Sequence, residues 1–447
     1  MTLHMTRNVI LAGIAVLFTT GRLPAQNPIV PPGVYIADPS AHAWKDGRLY
    51  VYGSRDESPK YFCSWRHDVL SSADLKTWTL TTNVFASKGP GDQVPYSDAL
   101  LFAPDCQYRD GIYYLYYCLA SGKNTEGVAT SPSPTGPFVK GTNIELKGIN
   151  EIDPCVFIDD DGQAYYIWGQ FSAKMAKLKP NMTEIDPATI RQDVVTEKEH
   201  YFHEGGYMVK RKGIYYFVYA HMGRVGRPTC IGYATSKSPM GPFQYRGVII
   251  DNDRCDPGNW NNHGSLVEFK GQWYVFYHRS THACHTMRKA CLEPITFNPD
   301  GSINEAEMTT QGAAGPLNPL AKMDAERACL LWGNVRIQAC AEDNEELAGI
   351  KNDDKAVYKY FDFGSGVDDL TLQVAPGANP GKIDIGIDAA WGPSIGSVDV
   401  PGDGDGKSWV PLTCKIRDAK GVRSVWLRFQ GKGDDLFKVD WFQFHRN

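Results

Sequence analysis

Three acidic residues occupy the same place relative to a repeated turn. Asp38, Asp153 and Glu204 each lie nine residues before the glycine of a predicted hairpin turn. If the repeats surround one axis, this shared offset brings the three carboxylates into one pit. Carboxylates gathered in one place repel each other and resist burial, a cost without an obvious structural benefit, so we predict a catalytic role for the set. The three turn glycines are Gly47, Gly162 and Gly213.

The reaction that needs such a set is cleavage of a glycosidic bond. One carboxylic acid gives a proton to the leaving oxygen, and an ionised carboxylate activates the incoming water. A third carboxylate near the acid raises its pKa and holds it in position. Taken singly, Asp38 before Pro39 and Asp153 before Pro154 also suit structural turns, because Asp-Pro commonly begins a turn. The shared offset favours the catalytic interpretation.

The elements that position these residues are five copies of one hairpin, in which a glycine turn leads into a strand rich in aromatic residues. The turn glycines are 64, 51, 51 and 58 residues apart, a period that suits a four-stranded propeller blade. Asp105 lies six residues before the second of these glycines, and His263 lies eight before the fifth. The copies occupy residues 45–52, 109–117, 160–168, 211–219 and 269–277.

The sequence predicts an all-β protein of two domains. Residues 27–310 are predicted to form a five-bladed β-propeller, and residues 311–326 an irregular connector rich in proline and glycine. Short alternating strands then predict a β-sandwich, of jelly-roll type, over residues 327–447. The near-duplicate segments 129–138 and 234–243 are predicted to be structural turns between outer strands of a blade.

Composition narrows the classes of function. A net charge of -5 and the lack of a Lys/Arg run argue against nucleic acid as a partner. The apolar run 9–18 follows Arg7 and precedes Leu-Pro-Ala25, which predicts a signal peptide over residues 1–25 and export to the periplasm or the medium. We predict no membrane span elsewhere. Oligomeric state is not predicted.

The cysteines do not indicate a disulfide framework. There are 11, an odd number, without the spacing of a small disulfide-rich scaffold. Several lie at apolar strand positions, so we predict mostly free and buried thiols. The group His282, Cys284, His285 and Cys291 fits no zinc pattern and is left without a role.

The motifs around the three acids resemble glycoside hydrolase family 43, the five-bladed β-propeller glycosidases, over residues 33 to 310. They are Ile-Ala-Asp38-Pro-Ser, Glu-Ile-Asp153-Pro-Cys-Val-Phe and Phe-His-Glu204-Gly-Gly. The resemblance implies Asp38 as general base, Glu204 as general acid, and Asp153 as the residue that tunes and orients Glu204. It also implies inversion of the anomeric configuration, with acid and base far enough apart to admit a water.

The resemblance implies further site residues. Phe102 and Asp105, in Phe-Ala-Pro-Asp, and Arg279, in Tyr-His-Arg, are expected to contact substrate. Phe102 stands where the family more often has tryptophan. His263, in Asn-His-Gly-Ser, is expected to approach a calcium or other cation in the channel through water; a core histidine without a ligand is the alternative. No organic cofactor is expected.

The C-terminal region resembles carbohydrate-binding module family 6, from about residue 330 to 447, through its final segment Lys438-Val-Asp-Trp-Phe-Gln-Phe. It departs from that family at Ile337–Cys340, where members carry glutamates for a structural calcium, and at Lys438, where members have a sugar-contacting asparagine. Trp391 and Trp409 are candidates for stacking on sugars or for core packing. The module is therefore either a glycan-binding domain or a structural partner.

We predict an exported, exo-acting, inverting glycoside hydrolase that releases α-L-arabinofuranose or β-D-xylose from plant cell-wall polysaccharides or oligosaccharides. Endo-arabinanase, galactofuranosidase and galactanase activities stay open within the family. A non-catalytic glycan-binding propeller is the alternative from another class, and the three intact acids argue against it. A retaining enzyme of the fructan-cleaving type is disfavoured, because Ala37 precedes Asp38 and Gly205 follows Glu204.

Overall fold

The computed structural model describes residues 18–19 and 26–447, and their structure is almost entirely β. Residues 36–295 form five consecutive antiparallel sheets, and each contains one of the predicted hairpins. The first sheet has β1 (Phe18–Thr19), β2 (Ile36–Ala43), β3 (Leu49–Arg55), β4 (Arg66–Ser72) and β5 (Thr79–Ala86). The second has β6 (Leu101–Arg109), β7 (Ile112–Leu119), β8 (Glu126–Ser131) and β9 (Val139–Asn143).

The third sheet has three strands: β10 (Cys155–Ile158), β11 (Ala164–Trp168) and β12 (Lys174–Lys177). The fourth has β13 (Phe202–Arg211), β14 (Ile214–His221), β15 (Cys230–Ser236) and β16 (Gln244–Asp251). The fifth has β17 (Ser265–Phe269), β18 (Gln272–Thr281) and β19 (Cys284–Ile295). A short helix, α1 (Glu197–His200), precedes β13.

The five sheets close into a ring through their first large strands. In order, β2 contacts β6, β6 contacts β10, β10 contacts β13, β13 contacts β17, and β17 returns to β2. The segment before β2 completes the fifth sheet, since the Ile29 amide donates to the Ala290 carbonyl at 2.9 Å and the Asn27 amide to that of Thr310 at 2.9 Å. We interpret the sheets as the blades of a propeller whose innermost strands surround one axis.

Apolar residues on facing sheets hold this ring together. Clusters of buried side chains fill the spaces between the sheets, and aromatic residues supply much of the buried area. This packing explains why the outward halves of the hairpins are so rich in tyrosine and phenylalanine. The ring pairs that join one sheet to the next include Phe85 with Tyr117, Tyr116 with Tyr166, Phe157 with Tyr215, and Trp78 with Phe276.

The C-terminal region is a β-sandwich of two sheets around a single apolar core. One sheet has the order β22-β23-β30-β25-β28, with β20 added beside β30, and the other has the order β21-β24-β29-β26-β27. The strands are β20 (Met323–Asp324), β21 (Leu330–Trp332), β22 (Arg336–Ala341), β23 (Asn344–Ala348), β24 (Lys355–Asp362), β25 (Asp369–Pro376), β26 (Gly381–Ile387), β27 (Ser394–Val400), β28 (Val410–Lys415), β29 (Val422–Gly431) and β30 (Phe437–His445).

The longest segments between strands are residues 178–201 and 296–322. Within the described residues, single-turn 3-10 helices occur at Pro187–Thr189, Gly312–Ala314 and Ala325–Arg327. Strand β20 lies within the predicted connector and already pairs with the sandwich. The predicted signal peptide lies outside the described residues except for Phe18 and Thr19, which pair with β5. No helix in the described part of the chain is long and apolar enough to cross a membrane.

Propeller and sandwich share a polar interface around Glu345 of β23. This fully buried carboxylate accepts a hydrogen bond from the Tyr35 hydroxyl at 2.8 Å and forms an ion pair with Lys289 of β19. Elsewhere the Leu331 amide donates to the Arg254 carbonyl at 2.7 Å, and the Arg254 guanidinium stacks 3.6 Å from the centre of the Trp332 ring. A buried charge pair across an interface ties the two domains together, since either charge alone is costly to bury.

All 11 cysteines are free thiols, and eight of them are buried, which confirms the prediction from their spacing. Three are less buried: Cys284 and Cys414 partly so, and Cys340 exposed. In the described residues, no group of three or more histidine, cysteine, aspartate or glutamate side chains is arranged to hold a metal ion, so the group around Cys284 forms no such site.

Candidate active site

The predicted acids Asp38, Asp153 and Glu204 all line one cavity of about 540 Å³ at the axis of the ring. They come from the first, third and fourth sheets, and their residues are only 7%, 7% and 9% exposed. The wall also contains His263 and Arg288 from the fifth sheet and its preceding loop. A pit with three carboxylates and two basic side chains is therefore the electrostatic centre of the propeller.

Local backbone geometry aims the two aspartates into the pit. The pairing of β2 with β3 is interrupted between Ala37 and Ser40, so Asp38 lies in a bulge. Asp38 has φ 51° and Asp153 has φ 60°, both in the left-handed region that few residues other than glycine adopt. Bulges and left-handed residues of this kind redirect side chains and are common beside active sites.

Glu204 is placed by a similar irregularity in the fourth sheet. The register of β13 against β14 shifts on both sides of Glu204, between Phe202 and Tyr207. The following residue must be glycine: Gly205 has φ 64°, and a Cβ there would lie 2.5 Å from Nε2 of His263. The Glu-Gly sequence thus lets the histidine ring pack directly against the backbone beside the acid.

Asp38 is held in its ionised form by Arg288. The Nη1 of Arg288 donates to Oδ1 of Asp38 at 2.8 Å, while Asp56 accepts from Nε at 2.9 Å and from Nη2 at 3.0 Å. Burial raises the pKa of Asp38, but the Arg288 charge and a contact with His263 lower it by more than burial raises it. The pKa of Asp38 therefore lies well below its ordinary value. Asp38 is therefore a carboxylate throughout the neutral range.

His278 supports Asp38 from below without adding charge. Its Nδ1 accepts a hydrogen bond from the Asp38 amide at 3.2 Å, so Nε2 carries the proton and lies 3.1 Å from the Asn261 carbonyl. Burial and the nearby Arg288 charge lower the pKa of His278 to about 3. The neutral ring fixes the backbone that carries Asp38, and it links this residue to the loop before β17.

Asp153 is in the opposite electrostatic condition. Burial raises its pKa well above the ordinary value; the His263 charge opposes this shift, and the negative charges of Glu204 and Asp38 add to it. The Asp153 amide donates to Sγ of Cys118 at 3.3 Å, which anchors its backbone on the second sheet. Asp153 therefore retains a proton more readily than Asp38.

Two amide side chains hold the carboxyl group of Glu204. Nε2 of Gln170 donates to Oε2 at 2.9 Å, and Nδ2 of Asn261 donates to Oε1 at 3.2 Å. The ring of His203 lies further away, with Nε2 3.9 Å from Oε2. Gln170 belongs to the loop after β11 and Asn261 to the loop before β17, so two neighbouring sheets fix the orientation of Glu204.

His263 stands between the acids as a charge partner. Its Nδ1 is 3.5 Å from Oδ1 of Asp38 and 3.9 Å from Oδ2 of Asp153. Burial lowers the pKa of His263, but the hydrogen bond to Asp38 and the negative charges of Asp153, Asp38 and Glu204 outweigh it and raise the pKa to about 9. The ring is therefore cationic at neutral pH.

A cationic ring does not fit direct coordination of a metal, because a metal ligand must be a neutral imidazole. Beneath the acids, the channel around His263 leaves room for about 10 Å³, the space of roughly one water. Among the described residues, no group of three or more metal-ligating side chains is arranged around His263, so these residues do not fit a directly bound cation. The predicted cation near His263, held through water, stays a prediction.

The structure does not support the predicted contact of Asp105 with substrate. Asp105 is outside the large cavity, in the channel beneath it, and its oxygens accept from Ser40 Oγ at 2.6 Å, His42 Nε2 at 2.7 Å and the Val156 amide at 2.7 Å. The strand register aligns Asp105 with Ser40 of the first sheet, two residues beyond the place of Asp38. Asp105 joins three sheets instead of facing sugar.

The structure also does not support the predicted contact of Arg279 with substrate. Its guanidinium is 2% exposed, donates to the Tyr277 hydroxyl at 2.6 Å and to the Thr309 carbonyl, and lies 3.5 Å from Glu293. Register explains the error: Arg279 pairs with Lys289, and Ser280 pairs with Arg288. Because cross-strand partners share a face and successive residues alternate, the cavity receives Arg288 and Arg279 points away from it.

Aromatic residues form the apolar part of the wall. Phe102 lines the cavity as predicted and is half-buried; its role in stacking on sugar stays a prediction. Sequence reasoning missed Phe62, Phe171 and Trp260, which also line the cavity. They lie in loops outside the repeated hairpins, so no shared offset marked them.

A ring of β-sheets with three carboxylates gathered at its axial pit defines a propeller glycosidase. Residues 25–303 match the family described as glycosyl hydrolases family 43, and residues 324–446 match carbohydrate binding module family 6. The chain belongs to glycosyl hydrolases family 43 and carries a C-terminal family 6 module, as its motifs predicted. It is therefore a glycoside hydrolase.

Characterised relatives cover both domains. The chain is 28% identical over 479 residues to a xylosidase/arabinosidase of Thermoclostridium stercorarium, an alignment that includes 92% of this chain and 97% of the relative. It is 29% identical over 472 residues to an arabinoxylan arabinofuranohydrolase of Bacillus subtilis, which covers 91% of this chain and 90% of the relative.

Solved structures of family 43 enzymes are also similar to this chain. The family 43 arabinoxylan arabinofuranohydrolase of Bacillus subtilis, in complex with cellotetraose, superposes with a TM-score of 0.54 at 28% identity, covering 94% of this chain and 97% of that one. A family 43 β-xylosidase/α-arabinofuranosidase from a compost metagenome, in complex with xylotriose and in a calcium-free form, gives a TM-score of 0.53 at 28% identity, covering 65% and 99%.

Proposed function

We propose that this protein is an exo-acting, inverting glycosidase that releases α-L-arabinofuranose or β-D-xylose from arabinoxylan, xylan or their oligosaccharides. The single observation that carries the proposal is the placement of Asp38, Asp153 and Glu204 around one cavity. The names of the relatives supply the sugars, because they include xylosidases, arabinosidases and arabinoxylan arabinofuranohydrolases.

Glu204 is the proposed general acid. It donates its proton to the glycosidic oxygen as the bond from that oxygen to the anomeric carbon breaks. Gln170 and Asn261 keep its carboxyl group in a fixed orientation, and Asp153 lies close enough for their charges to interact. Asp153, whose pKa is raised by burial, can keep a proton on this side of the pit at neutral pH.

Asp38 is the proposed general base. Arg288 occupies its Oδ1, and Oδ2 has no hydrogen-bond partner among the described residues, so Oδ2 is the atom available to a water. That water attacks the anomeric carbon and passes its proton to Asp38 Oδ2. Glu204 then takes up a proton from solvent, and Asp38 releases its proton to solvent. These two transfers return the site to its starting state.

His263 and Arg288 balance the charge of the three acids. The cationic ring of His263 lies between Asp38 and Asp153, and Arg288 holds Asp38 ionised. Without these positive charges, gathering three carboxylates in a buried pit would raise all their proton affinities together. The unequal distribution of these positive charges is what leaves Asp38 ionised while the pKa of Asp153 is raised.

The pit narrows beneath the acids to the space of roughly one water, which supports attack on terminal or side-chain units over internal cleavage of a polymer. The proposed setting is outside the cell, since the substrate is a wall polysaccharide, and the predicted signal peptide agrees with it. We propose no step that passes through calcium. Sugar binding by the sandwich stays a proposal, with the exposed Trp391 as its candidate contact.

A panel of nitrophenyl α-L-arabinofuranoside, β-D-xyloside and β-D-galactofuranoside tests the proposed sugar. We expect hydrolysis of the first or the second, and loss of hydrolysis of the matching oligosaccharide in Asp38→Asn and Glu204→Gln proteins that remain folded at the assay temperature. Proton NMR of the first product should show the inverted anomer. Early appearance of the retained anomer contradicts the inverting mechanism, and hydrolysis of the galactofuranoside alone contradicts the sugar.

The second candidate is a glycan-binding protein without catalysis. It is favoured only by the attached sandwich, whose family is one of carbohydrate-binding modules. Binding of xylotriose with no hydrolysis of any panel member, at protein concentrations that give a measurable melting curve, would support it over the enzyme.

A further inference from the structure

Two aromatic side chains at the cavity are much more exposed than the rest of its apolar wall. Phe171 is 55% exposed and Trp260 is 45% exposed, while Phe62 and Phe102 are half-buried. Aromatic side chains that line a pocket and are still open to solvent are available to contact a bound ligand. We name Phe171 and Trp260 the aromatic pair.

Each member of the aromatic pair adjoins one of the two amides that hold the general acid. Phe171 follows Gln170, which donates to Oε2 of Glu204, and Trp260 precedes Asn261, which donates to Oε1. The two loops come from the third and fifth sheets and approach Glu204 from opposite sides. Each exposed ring therefore belongs to the sequence neighbour of a residue that donates to one carboxyl oxygen of Glu204.

The backbone at Phe171 is held firmly in an unfavourable conformation. Its φ is 59°, in the left-handed region, which is costly for a phenylalanine. The Phe171 amide donates to the His203 carbonyl at 2.6 Å, and its carbonyl accepts from the Glu197 amide at 3.0 Å. Its ring meets the His203 ring edge-on at 5.2 Å. The fold therefore maintains this exposed ring beside the residue that precedes Glu204.

The loop of Trp260 is fixed just as closely. Asn261 receives a hydrogen bond from Nε2 of His278, and its carbonyl also accepts from Nδ2 of Asn252 at 2.9 Å. Asn259 bonds to Asn252 on the other side of the tryptophan. A ring presented by a rigid loop loses little conformational entropy when a ligand covers it.

The chemistry of the acid fixes which sugar these rings meet. A general acid must lie within hydrogen-bond reach of the oxygen that leaves, so the sugar carrying that oxygen lies next to Glu204. The sugar that is released occupies the deeper part of the pit, near Asp38 and Arg288. The part of the substrate outside the acid is the leaving group, which for a wall oligosaccharide is a chain of xylose units.

We propose that Phe171 and Trp260 bind the leaving-group sugar by stacking on its ring faces, and so set the preference for oligosaccharides over simple glycosides. Aromatic rings bury the apolar faces of sugars as they bury other flat apolar surfaces. This inference rests on the proposed function, because it takes Glu204 as the acid, and it names two specificity residues that the sequence did not reveal.

Binding of xylotriose and of xylose to the full-length Asp38→Asn protein, measured by calorimetry, tests the inference without requiring turnover. Adding Phe171→Ala or Trp260→Ala should weaken xylotriose binding about tenfold and leave xylose binding within about twofold. Val422→Ala in the same background is the control, because Val422 is 51% exposed on the sandwich and lies outside the cavity, and it should leave both affinities unchanged. Phe171→Leu and Trp260→Leu serve where an alanine variant melts early.

Hydrolysis separates this inference from the proposed function. In the otherwise wild-type enzyme, the same variants should lower kcat/KM about tenfold on a xylo-oligosaccharide substrate and leave it within about twofold on the methyl glycoside of the same sugar. Unchanged xylotriose binding, or equal losses on both substrates, overturns the inference while the glycosidase stands. Selective loss of xylotriose binding in a protein that hydrolyses nothing keeps the inference and removes the proposed reaction.

Discussion

Arg288 holds Asp38 and Asp56 at once: its Nη1 donates to Asp38 Oδ1 at 2.8 Å, and its Nε donates to Asp56 Oδ2 at 2.9 Å. All three side chains are buried. Asp56 fixes the guanidinium through Nε and Nη2, so that Nη1 meets the proposed base Asp38 in one geometry. This pairing explains how a carboxylate in a closed pit stays ionised, and it has a direct consequence for the pH profile.

Replacing Arg288 should raise the pKa of Asp38, because burial would no longer be outweighed by a positive charge. In Arg288→Met, we expect the acidic limb of the kcat/KM profile to move to higher pH and stability to fall by about 3–5 kcal/mol, since two buried carboxylates lose their partner. Arg288→Lys keeps the charge and is the control, with a smaller displacement. An acidic limb that is unchanged in Arg288→Met contradicts the role of Asp38 as base.

The leaving group should distinguish acid from base. Glu204→Gln removes the proton donor, so kcat should fall about 10²–10⁴-fold on oligosaccharide and much less on a dinitrophenyl glycoside, whose leaving group needs no proton. In Asp38→Asn, kcat should fall by similar factors on both substrates, because water activation is needed whichever group leaves. The measurement is kcat for each variant on each substrate; equal losses in Glu204→Gln would contradict its assignment.

His263 should make stability depend on pH above neutrality. Its pKa is raised from 6.5 to about 9 in the fold, so its contribution to stability is fully present below pH 6.5 and is lost as the pH rises through about 9. The gap in melting temperature between wild type and His263→Asn should therefore shrink from pH 6.5 to 9. His67 is buried with a pKa lowered to about 3, and His67→Asn should show no such narrowing in this window.

Asp105 should matter for stability and not for substrate. Asp105→Ala leaves the Ser40 hydroxyl, the His42 ring and the Val156 amide without their acceptor, which costs about 1–3 kcal/mol for each unsatisfied buried group. Urea unfolding should show the loss. At temperatures well below the transition, KM should stay within about twofold of wild type, since the ring faces of the sugar do not meet this residue. A raised KM with unchanged stability would restore the original prediction of a substrate contact.

The ion pair between the domains should make them unfold together. Glu345→Gln leaves Lys289 buried without its partner, and we expect a loss of about 3–5 kcal/mol by urea unfolding. Lys351→Ala is the matched control: it breaks an exposed pair with Asp434 at 2.8 Å and should cost less than about 1 kcal/mol. Two separate unfolding transitions in the wild-type protein would show that the buried pair does not couple the domains.

Much of the site could be predicted from the sequence because positions in each repeat can be counted from its turn glycine. A hairpin turn fixes register over a few residues, and this local geometry is the same in every copy, so equal offsets from Gly47, Gly162 and Gly213 marked equivalent places. The ring then only had to bring equivalent places together. For the same reason Asp105, at a different offset, belonged to another level of the channel.

The sequence by itself determined the all-β class, the repeated hairpins, the three acids and their family, because each follows from local register or from short motifs. Tertiary structure decided the choice of Arg288 over Arg279, the amide pair around Glu204 and the exposed rings beside it. The separation between Arg288 and Asp38 is 250 residues, and no local rule relates them. Only closure of the ring, with the bulges that turn side chains inward, determines which distant loops meet at the pit.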